Sequence, residues 1–496
     1  MVSDCGLKEA SRLKFDHTAY SESRQFALDY AVSRFLKKYE GMRSDMFKAD
    51  CWDTYQRVDW KLRLVNRKFR SGVLFGDINP VLFRARWKIR QILGDLDRGA
   101  VFNLSEWGPG ATASLKSTEA ALDNKLLEPK LSVTLKARRY ATAVLENDLH
   151  WLRARGIPCE GPISLVATVT SEFQIVDGGR FDSVPKDWSK DRPIDVQPTM
   201  NLYLQKGIGL YLRRRLARFG IDLNDQSRNQ WLASIAHKAG LATVDLSNAS
   251  DSVSRELVRF LLPRDWYQVL DDVRTHMIKS PSGDFISFEK FSSMGNGFTF
   301  ELESIIFYAL SWACSEQFAE NNADFDVRTA VISVYGDDII IDRKLIPLLY
   351  AVFEQVGFEV NKEKSYVTGS FFESCGRHYF NGEDVTPPHQ KERVKSPSSG
   401  CRCANRLLRW ALRLGGGTSL EPKCYPTWRQ AISKVTFDTR RAGLPVLYQP
   451  FWAEGDQGLL DPLHEPQKDL NGFLRYRGWA AVGRQRKGSD EALLAV

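Results

Sequence analysis

Apolar residues run almost without interruption on either side of a Gly-Asp-Asp in "ISVYGDDIIID" (332–342), with Val331, Ile332 and Val334 before it and Ile339, Ile340 and Ile341 after it. Such runs predict strands buried on both faces, joined as a hairpin with Asp337 and Asp338 at its tip. Upstream, Leu241 to Val244 predicts a short strand that ends at Asp245. Helical periodicity dominates elsewhere. It predicts a long amphipathic helix at about 199–219 and an apolar helix from Thr299 that turns Ile305, Ile306, Ala309 and Leu310 to the core. A third helix is expected in "LIPLLYAVFEQVGF". From Ile163, "ISLVATVT" and then "FQIVDGG" read as strands. The first 160 residues read as mostly helical with basic faces, interrupted by a Gly/Pro loop, "EWGPGATASL" (106–115). Beyond Lys395, "KSPSSG" and "LGGGTS" punctuate a basic, Trp-containing tail that reads as a separate subdomain.

Composition narrows the class. A chain of 496 residues can hold two or three domains, and 43% hydrophobic with 26% charged residues is a folded, not a disordered, balance. Net charge is +8, from 69 Lys and Arg against 61 Asp and Glu. That excess is modest, so its clustering matters more. "WKLRLVNRKFR" (60–70), "FRARWKIR" (83–90), "LKARRY" (135–140), "YLRRRLARF" (211–219) and "LRYRGW" (474–479) interleave cations with rings. Any one of these suits the solvated face of an amphipathic helix. Five together, in a chain with 13 Trp, suit a polyanion whose bases stack on rings while its phosphates meet Arg and Lys. The eight cysteines lie far apart and no apolar segment opens the chain, which points to a reducing cytoplasm without a disulfide framework. Cys401 and Cys403, with Cys424 and His389, fit no standard zinc spacing. The most apolar stretch, 304–314, is too short to span a bilayer, so no membrane partner is expected.

Gly-Asp-Asp alone is weak evidence, since it arises by chance in roughly one chain of this length in ten. Between two buried strands it means more, because adjacent carboxylates near a core repel and raise each other's pKa unless a cation neutralises them. A divalent site needs a third carboxylate, and Asp245 at its strand end is the candidate. Three aspartates on adjacent strands suit two Mg²⁺ ions, which prefer hard oxygen ligands and keep several waters; Mn²⁺ is a possible substitute. Downstream, "NKEK" carries Lys362 and Lys364, and a lysine beside a departing pyrophosphate can act as a general acid. Gly295, Asn296 and Gly297 form a loop that a phosphate backbone can approach, next to a helix N-terminus. Thr299 and Glu303 share one helical face. Asp251 has two readings: an N-cap, or an acceptor for a ribose hydroxyl with Asn248 and Ser250 nearby.

In order along the chain, "TVDLSNASDSVS", "SSMGNGFTFELESIIF", "YGDDI" and "NKEKSYVTGSFFESCGRHYFNG" resemble the palm of viral RNA-dependent RNA polymerases. More narrowly they are similar to the replicase catalytic subunit of the positive-strand RNA bacteriophages, the levivirus group, and "NLYLQKG", "RRRL" and "GIDLNDQSRNQ" add to that likeness. The resemblance covers about 163–386. It implies an α+β fold of fingers, palm and thumb with an antiparallel palm sheet. By it, 163–240 is fingers, which leaves 1–162, by elimination, as a helical, basic extension of the fingers and template channel. The palm is 241–370 with a finger insertion at about 255–290, and 371–496 is the thumb hairpin with the basic C-terminal region, the last hundred residues by elimination alone. Asp245, Asp337 and Asp338 are implied as metal ligands. Lys186, Lys190 and Arg192 match the loop that contacts the incoming triphosphate, Lys364 the general acid, and Asp251 and Thr299 the ribose-checking region. Glu303 departs from the Asn common there in animal-virus polymerases. "FFESCGRHYFNGEDV" is implied as the hairpin that supports the end of the growing strand. Implied partners are template and nascent RNA, ribonucleoside triphosphates, host elongation factors Tu and Ts and the largest small-subunit ribosomal protein, in the cytoplasm of an infected bacterium. The family copies plus and minus strands without a primer. A reverse transcriptase shares the palm, but small and polar residues follow Asp245 where it usually carries a bulky gate. A non-catalytic RNA-binding protein with a relict palm would not need the full aspartate set.

Overall fold

The computed structural model describes residues 15–42, 47–72, 75–157, 162–417, 419–453, 455–461, 467–472 and 474–479. Two compact units divide the chain. Among the described residues, one joins 15–47, 185–190 and 378–479; the other joins 48–184 and 191–377. This partition differs from the sequence segments. The tail after Lys395 is grouped with the N-terminal 47 residues instead of standing alone, and residues 48–162 belong with the carboxylate strands.

The larger unit begins with helices α1 (Phe47–Arg70) and α2 (Asn79–Leu93). Helix α2 starts with Pro80 in its first turn, where a missing N–H costs nothing, and buries Val81, Leu82, Ala85, Ile89 and Ile92 along one face. Strand β1 (Leu131–Thr134) is completely buried and pairs in parallel with β2 (Phe173–Val176), which follows helix α3 (Pro162–Ser171). Here "ISLVATVT" is helix, not strand. β-branched residues form helix where packing decides, and the buried Val169 turns this segment into the core. Strands β3 (Gly179–Pro185) and β4 (Asp191–Val196) precede α4 (Thr199–Ala217), which matches the expected long helix to within its last turn. Helix α5 (Ser227–Ala239) stops at Gly240, whose φ of 68 is a left-handed cap that leads directly into β5 (Leu241–Val244) and β6 (Leu246–Ser247).

After α6 (Arg255–Leu261), strands β7 (Met277–Lys279) and β8 (Phe285–Ser287) join β3 and β4 in a four-stranded sheet of order β4-β3-β7-β8. Helix α7 (Thr299–Asn321) is buried on all sides for most of its length, with Ile305, Ile306, Ala309 and Leu310 in the core as expected. Strands β9 (Ile332–Tyr335) and β10 (Asp338–Asp342) form the expected hairpin, and with β5 they make an antiparallel sheet of order β5-β10-β9. Helix α8 (Ile346–Val356), strand β11 (Glu359–Val360) and strand β12 (Phe371–Ser374) complete the unit's main elements. A single hydrophobic cluster runs through α2, α4, α6, α7, α8 and the β5-β10-β9 sheet, so the carboxylate strands are set in the centre of the unit's core.

In the smaller unit, Ser396 caps the helix Pro397–Leu414 through a reciprocal box with Ser399, so "KSPSSG" is a helix start. That helix packs on Tyr425–Arg441 around Cys401, Ala404, Val435 and Leu459. Phe26, on the helix Ser23–Arg34, stacks on Phe380 with centroids 4.3 Å apart. Among the described residues no helix is long and apolar enough to cross a membrane.

Candidate active site

Register brings two of the aspartates together. Val244 on β5 lies opposite Ile339 on β10, so the next antiparallel position outward pairs Asp245 with Asp338. Asp338 in turn faces Tyr335, and a two-residue turn, Gly336-Asp337, leaves Asp337 just beyond the strand ends. Only glycine serves at 336. Its φ is 62, a Cβ there would stand 2.3 Å from the Phe300 ring, and its N–H donates to Ser304 Oγ at 3.0 Å, tying the turn to α7.

The chain then returns along the other edge of β5 and supplies the cation. Strand β11 pairs with β6, Tyr366 bridges to Thr243, and between them Asn361 donates to Asp245 Oδ2 at 2.8 Å. Lys364 Nζ stands 3.8 Å from Asp245 Oδ1. Ser365 holds the backbone of Asp245, accepting from its N–H at 3.1 Å and donating to its carbonyl at 3.2 Å. On the other side, the N–H of Cys375 donates to Asp338 Oδ1 at 3.1 Å, from a turn in which Cys375 has φ 48. Asn229 on α5 donates to the Asp338 carbonyl at 3.1 Å and accepts from Ser333 Oγ at 2.6 Å, so one side chain clamps both strands of the hairpin.

Electrostatics follow from this crowding. Burial, then the neighbouring Asp337, pushes Asp338 up to about 7. Asp245 is raised by burial and Asp337, with Lys364 and Asn361 pulling the other way. Burial works against the Lys364 ammonium, but Glu373, Asp245, Asp338 and Asp337 together hold its pKa above the usual lysine value. The site is therefore short of positive charge: four carboxylates act on one lysine. Among the described residues no three His, Cys, Asp or Glu side chains form a ready-made metal cage. An open set of hard oxygens fits Mg²⁺ nonetheless, because that ion binds through one or two carboxylates, keeps waters and borrows substrate phosphates.

The other expected residues fall into three groups. Asp251, Thr299 and Glu303 are buried and already engaged. Asp251 lies in a 3-10 turn and does not cap α6; Ser254 does, accepting from Leu257 N. Asp251 instead pairs with the fully buried Lys290, Nζ to Oδ1 3.3 Å, and that ammonium also sits 3.3 Å from the centroid of the Tyr55 ring. Thr299 Oγ1 donates to the Ser293 carbonyl at 3.1 Å, and Glu303 accepts from Ser250 Oγ at 2.8 Å. Burial and then Asp337 raise Glu303 well above the usual carboxylate range. Asn248 is exposed at φ 54.

The Gly-Asn-Gly loop leaves Gly295 exposed and Gly297 half-buried, and on the side where a Cβ would stand both glycines meet the protein. A Cβ on Gly295, at φ 109, would stand 2.3 Å from the Asp195 carbonyl, and one on Gly297 would stand 3.0 Å from Gln205 and from Lys206 N. Asn296 Oδ1 accepts from Phe298 N at 3.0 Å, while its buried Nδ2 has no partner. Lys186 and Lys190 are exposed on the turn between β3 and β4 and belong to the smaller unit; Arg192, exposed on β4, belongs to the larger one with the aspartates. His389 Nδ1 bonds the Arg34 carbonyl at 2.9 Å, and the structure does not assemble it with Cys401, Cys403 and Cys424 into a metal cluster.

Comparison with known proteins decides the family. Residues 8–448 match the family model described as RNA replicase, beta-chain. The chain belongs to the RNA replicase beta-chain family. It is 39% identical over 480 residues to the RNA-directed RNA polymerase subunit beta of Qbeta virus (strain MX1), covering 92% of this chain and 77% of that one. With the corresponding subunit of Escherichia virus Qbeta it shares 32% over 484 residues, covering 95% and 74%. With the RNA-directed RNA polymerase beta chain of Escherichia phage MS2 it shares 38% over 351 residues, covering 70% and 60%.

Several residues of this replicase beta-chain site escape sequence reasoning. Glu373 acts on Asp245, Asp338 and Lys364, yet an acid on a short strand carries no signal until the strand's neighbours are known. Asn361 had one available cue, its place three residues before Lys364 in "NKEK". Lys290 and Asn229 carry no local cue: each looks like a surface residue until burial is known.

Proposed function

We propose that the chain catalyses template-directed joining of ribonucleotides, acting as the RNA-directed RNA polymerase that replicates and transcribes the single-stranded RNA genome of a bacteriophage. The observation that carries this is the meeting of Asp245 and Asp338 at paired strand ends, with Asp337 on the adjoining turn and Lys364 Nζ 3.8 Å from Asp245. Asp245, Asp337 and Asp338 would hold two Mg²⁺ ions, which would activate the attacking 3′ hydroxyl and neutralise charge on the departing pyrophosphate. Asn361 and Ser365 fix Asp245, and Cys375 N–H fixes Asp338, so both carboxylates are oriented before substrate arrives. Lys364, kept protonated by its acidic neighbours, gives its proton to the leaving pyrophosphate.

Lys186, Lys190 and Arg192 take the triphosphate, a role supported by three exposed cations within seven residues of one hairpin. Asp251, Thr299 and Glu303, with Asn248, select the ribose. The support is that Asp337 and Asp251 both act on Glu303, which also accepts from Ser250. Asn296, with an unpaired side-chain donor, is the member of its loop suited to a template contact. The antiparallel β5-β10-β9 sheet serves as palm of a fingers, palm and thumb arrangement. Initiation without a primer and assembly with elongation factors Tu and Ts and the largest small-subunit ribosomal protein, in the cytoplasm of the infected bacterium, belong to the same reading through the family. The test is incorporation of ribonucleotides and deoxyribonucleotides on an RNA template by the purified chain with added host proteins. Ribonucleotide-specific synthesis abolished by a chelator and restored by Mg²⁺ is expected. Equal use of deoxyribonucleotides would favour a reverse transcriptase, and RNA binding without synthesis would favour a binding protein.

A further inference from the structure

Helix α2 has a second face that the core does not use. Its sequence, NPVLFRARWKIRQIL, contains four cations and no acid. Val81, Leu82, Ala85, Ile89 and Ile92 are buried, whereas Phe83, Arg86, Trp87 and Arg90 follow the i, i+3, i+4, i+7 spacing of one helical stripe and are all exposed. The two rings are unusually open for their size, Phe83 at 54% and Trp87 at 53%. Each is backed by another ring: Phe83 meets Phe260 edge-on at 5.5 Å, and Trp87 stacks on Trp312 at 5.7 Å. They are therefore held in place with an outer face free.

The charges on this helix divide the same way. Arg84 is committed to Gln317 and Glu320, and Lys88 lies 4.4 Å over the Trp312 ring with Glu316 acting on it. Arg86 rests 5.5 Å over Phe260, and neither it nor Arg90 has a carboxylate partner among the described residues. Two rigid rings one helical turn apart, alternating with two unneutralised guanidiniums, match the alternation of bases and phosphates along a single strand. An acidic polypeptide would satisfy the guanidiniums but has no flat group to lay on the rings. Helix α1 carries a related exposed stripe at the same spacing, Trp60, Arg63, Leu64 and Arg67, with one ring in place of two.

We propose that the exposed face of α2, carrying Phe83, Arg86, Trp87 and Arg90, is a docking surface for single-stranded RNA, separate from the carboxylate site. Bases stack on Phe83 and Trp87 while phosphates meet Arg86 and Arg90. The inference rests on the polymerase reading in taking RNA as the polyanion that the protein handles.

The test uses the full chain with a labelled single-stranded RNA, titrated at several salt concentrations and crosslinked by ultraviolet light. Trp87→Ala should weaken binding roughly tenfold, and Trp87→Phe, which keeps a ring against Trp312, should recover most of it. The pair Arg86→Gln with Arg90→Gln should lower the log-log salt slope by about 0.7 for each of two lost phosphates. Crosslinks should map to 79–93. Melting temperatures near wild type would show that the variants fold. Unchanged affinity and slope, no crosslink in that helix, or polyglutamate binding that Trp87→Ala weakens as much as RNA binding, would overturn the proposal. A chain that docks RNA on α2 but makes none would defeat the polymerase reading and leave this one standing; RNA synthesis with α2 variants that bind RNA as wild type does the reverse.

Discussion

Asp338 is a carboxylate that pays for its position with a pKa of about 7 against an ordinary 3.8. An acid raised in the folded state stabilises the fold below its unfolded pKa, and that contribution is lost as pH rises through the folded value. In metal-free protein the loss falls between about pH 4 and 7 and amounts to roughly 2–4 kcal/mol. Asp338→Asn keeps an acceptor for Cys375 N–H and removes the charge. Its melting temperature, measured with a chelator, should therefore exceed that of wild type at pH 8 and converge with it near pH 4, although synthesis is lost. Divalent ions should stabilise wild type and leave Asp338→Asn almost unmoved. Glu303, also raised, follows the same sign. Glu303→Gln should flatten the pH dependence of stability above the normal carboxylate range without lowering stability at pH 5, whereas a variant less stable at both pH values would mean that ionised Glu303 is required for the fold. The like-charge conflict at residues 337 and 338 was legible because the two acids are adjacent in sequence. The conflict with Asp245 and Glu373 depends on strand register, which no local pattern encodes.

At the scale of elements, the strands and helices with unbroken apolar pattern were legible: β5, the β9-β10 hairpin, α4, α7 and α8 lie where periodicity puts them. Residues 163–170 read as a strand because Ile, Val and Thr favour strands, but packing makes them a helix with Val169 turned into the core. In the loop before α7 the close packing was not legible: a Cβ on Gly295 would meet the Asp195 carbonyl, and one on Gly297 would meet helix α4. Gly295→Ala, strained at φ 109 and 2.3 Å from that carbonyl, should cost more than about 2 kcal/mol in chemical denaturation. A cost under half of that would mean the loop can move aside. Lys290, three residues beyond β8, holds the 3-10 turn that carries Asp251. Lys290→Met leaves a buried carboxylate alone and should cost about 3–5 kcal/mol, and adding Asp251→Asn should return most of it. Failure of the double variant to recover would show that Lys290 acts through Tyr55 and not through Asp251.

For the whole molecule, the sequence separates poorly what the structure joins. Among the described residues, 15–47, 185–190 and 378–479 form one unit although most of the chain lies between them, and contact across such a separation leaves no trace in composition or period. The chemistry was more legible than the architecture, because each aspartate closes or follows a short apolar strand that can be read locally, even though their meeting depends on register. The basic surfaces are spread over elements far from those strands in sequence, α2 among them, so RNA binding and nucleotide addition should be separable. The most direct test is to measure both on Asp337→Asn, whose side chain stands on the turn beside Asp338 and Asp245. Nucleotide addition in Mg²⁺ should be abolished while affinity for single-stranded RNA stays within about twofold of wild type. A variant that keeps more than roughly a few per cent of wild-type synthesis would contradict the carboxylate site as the centre of catalysis.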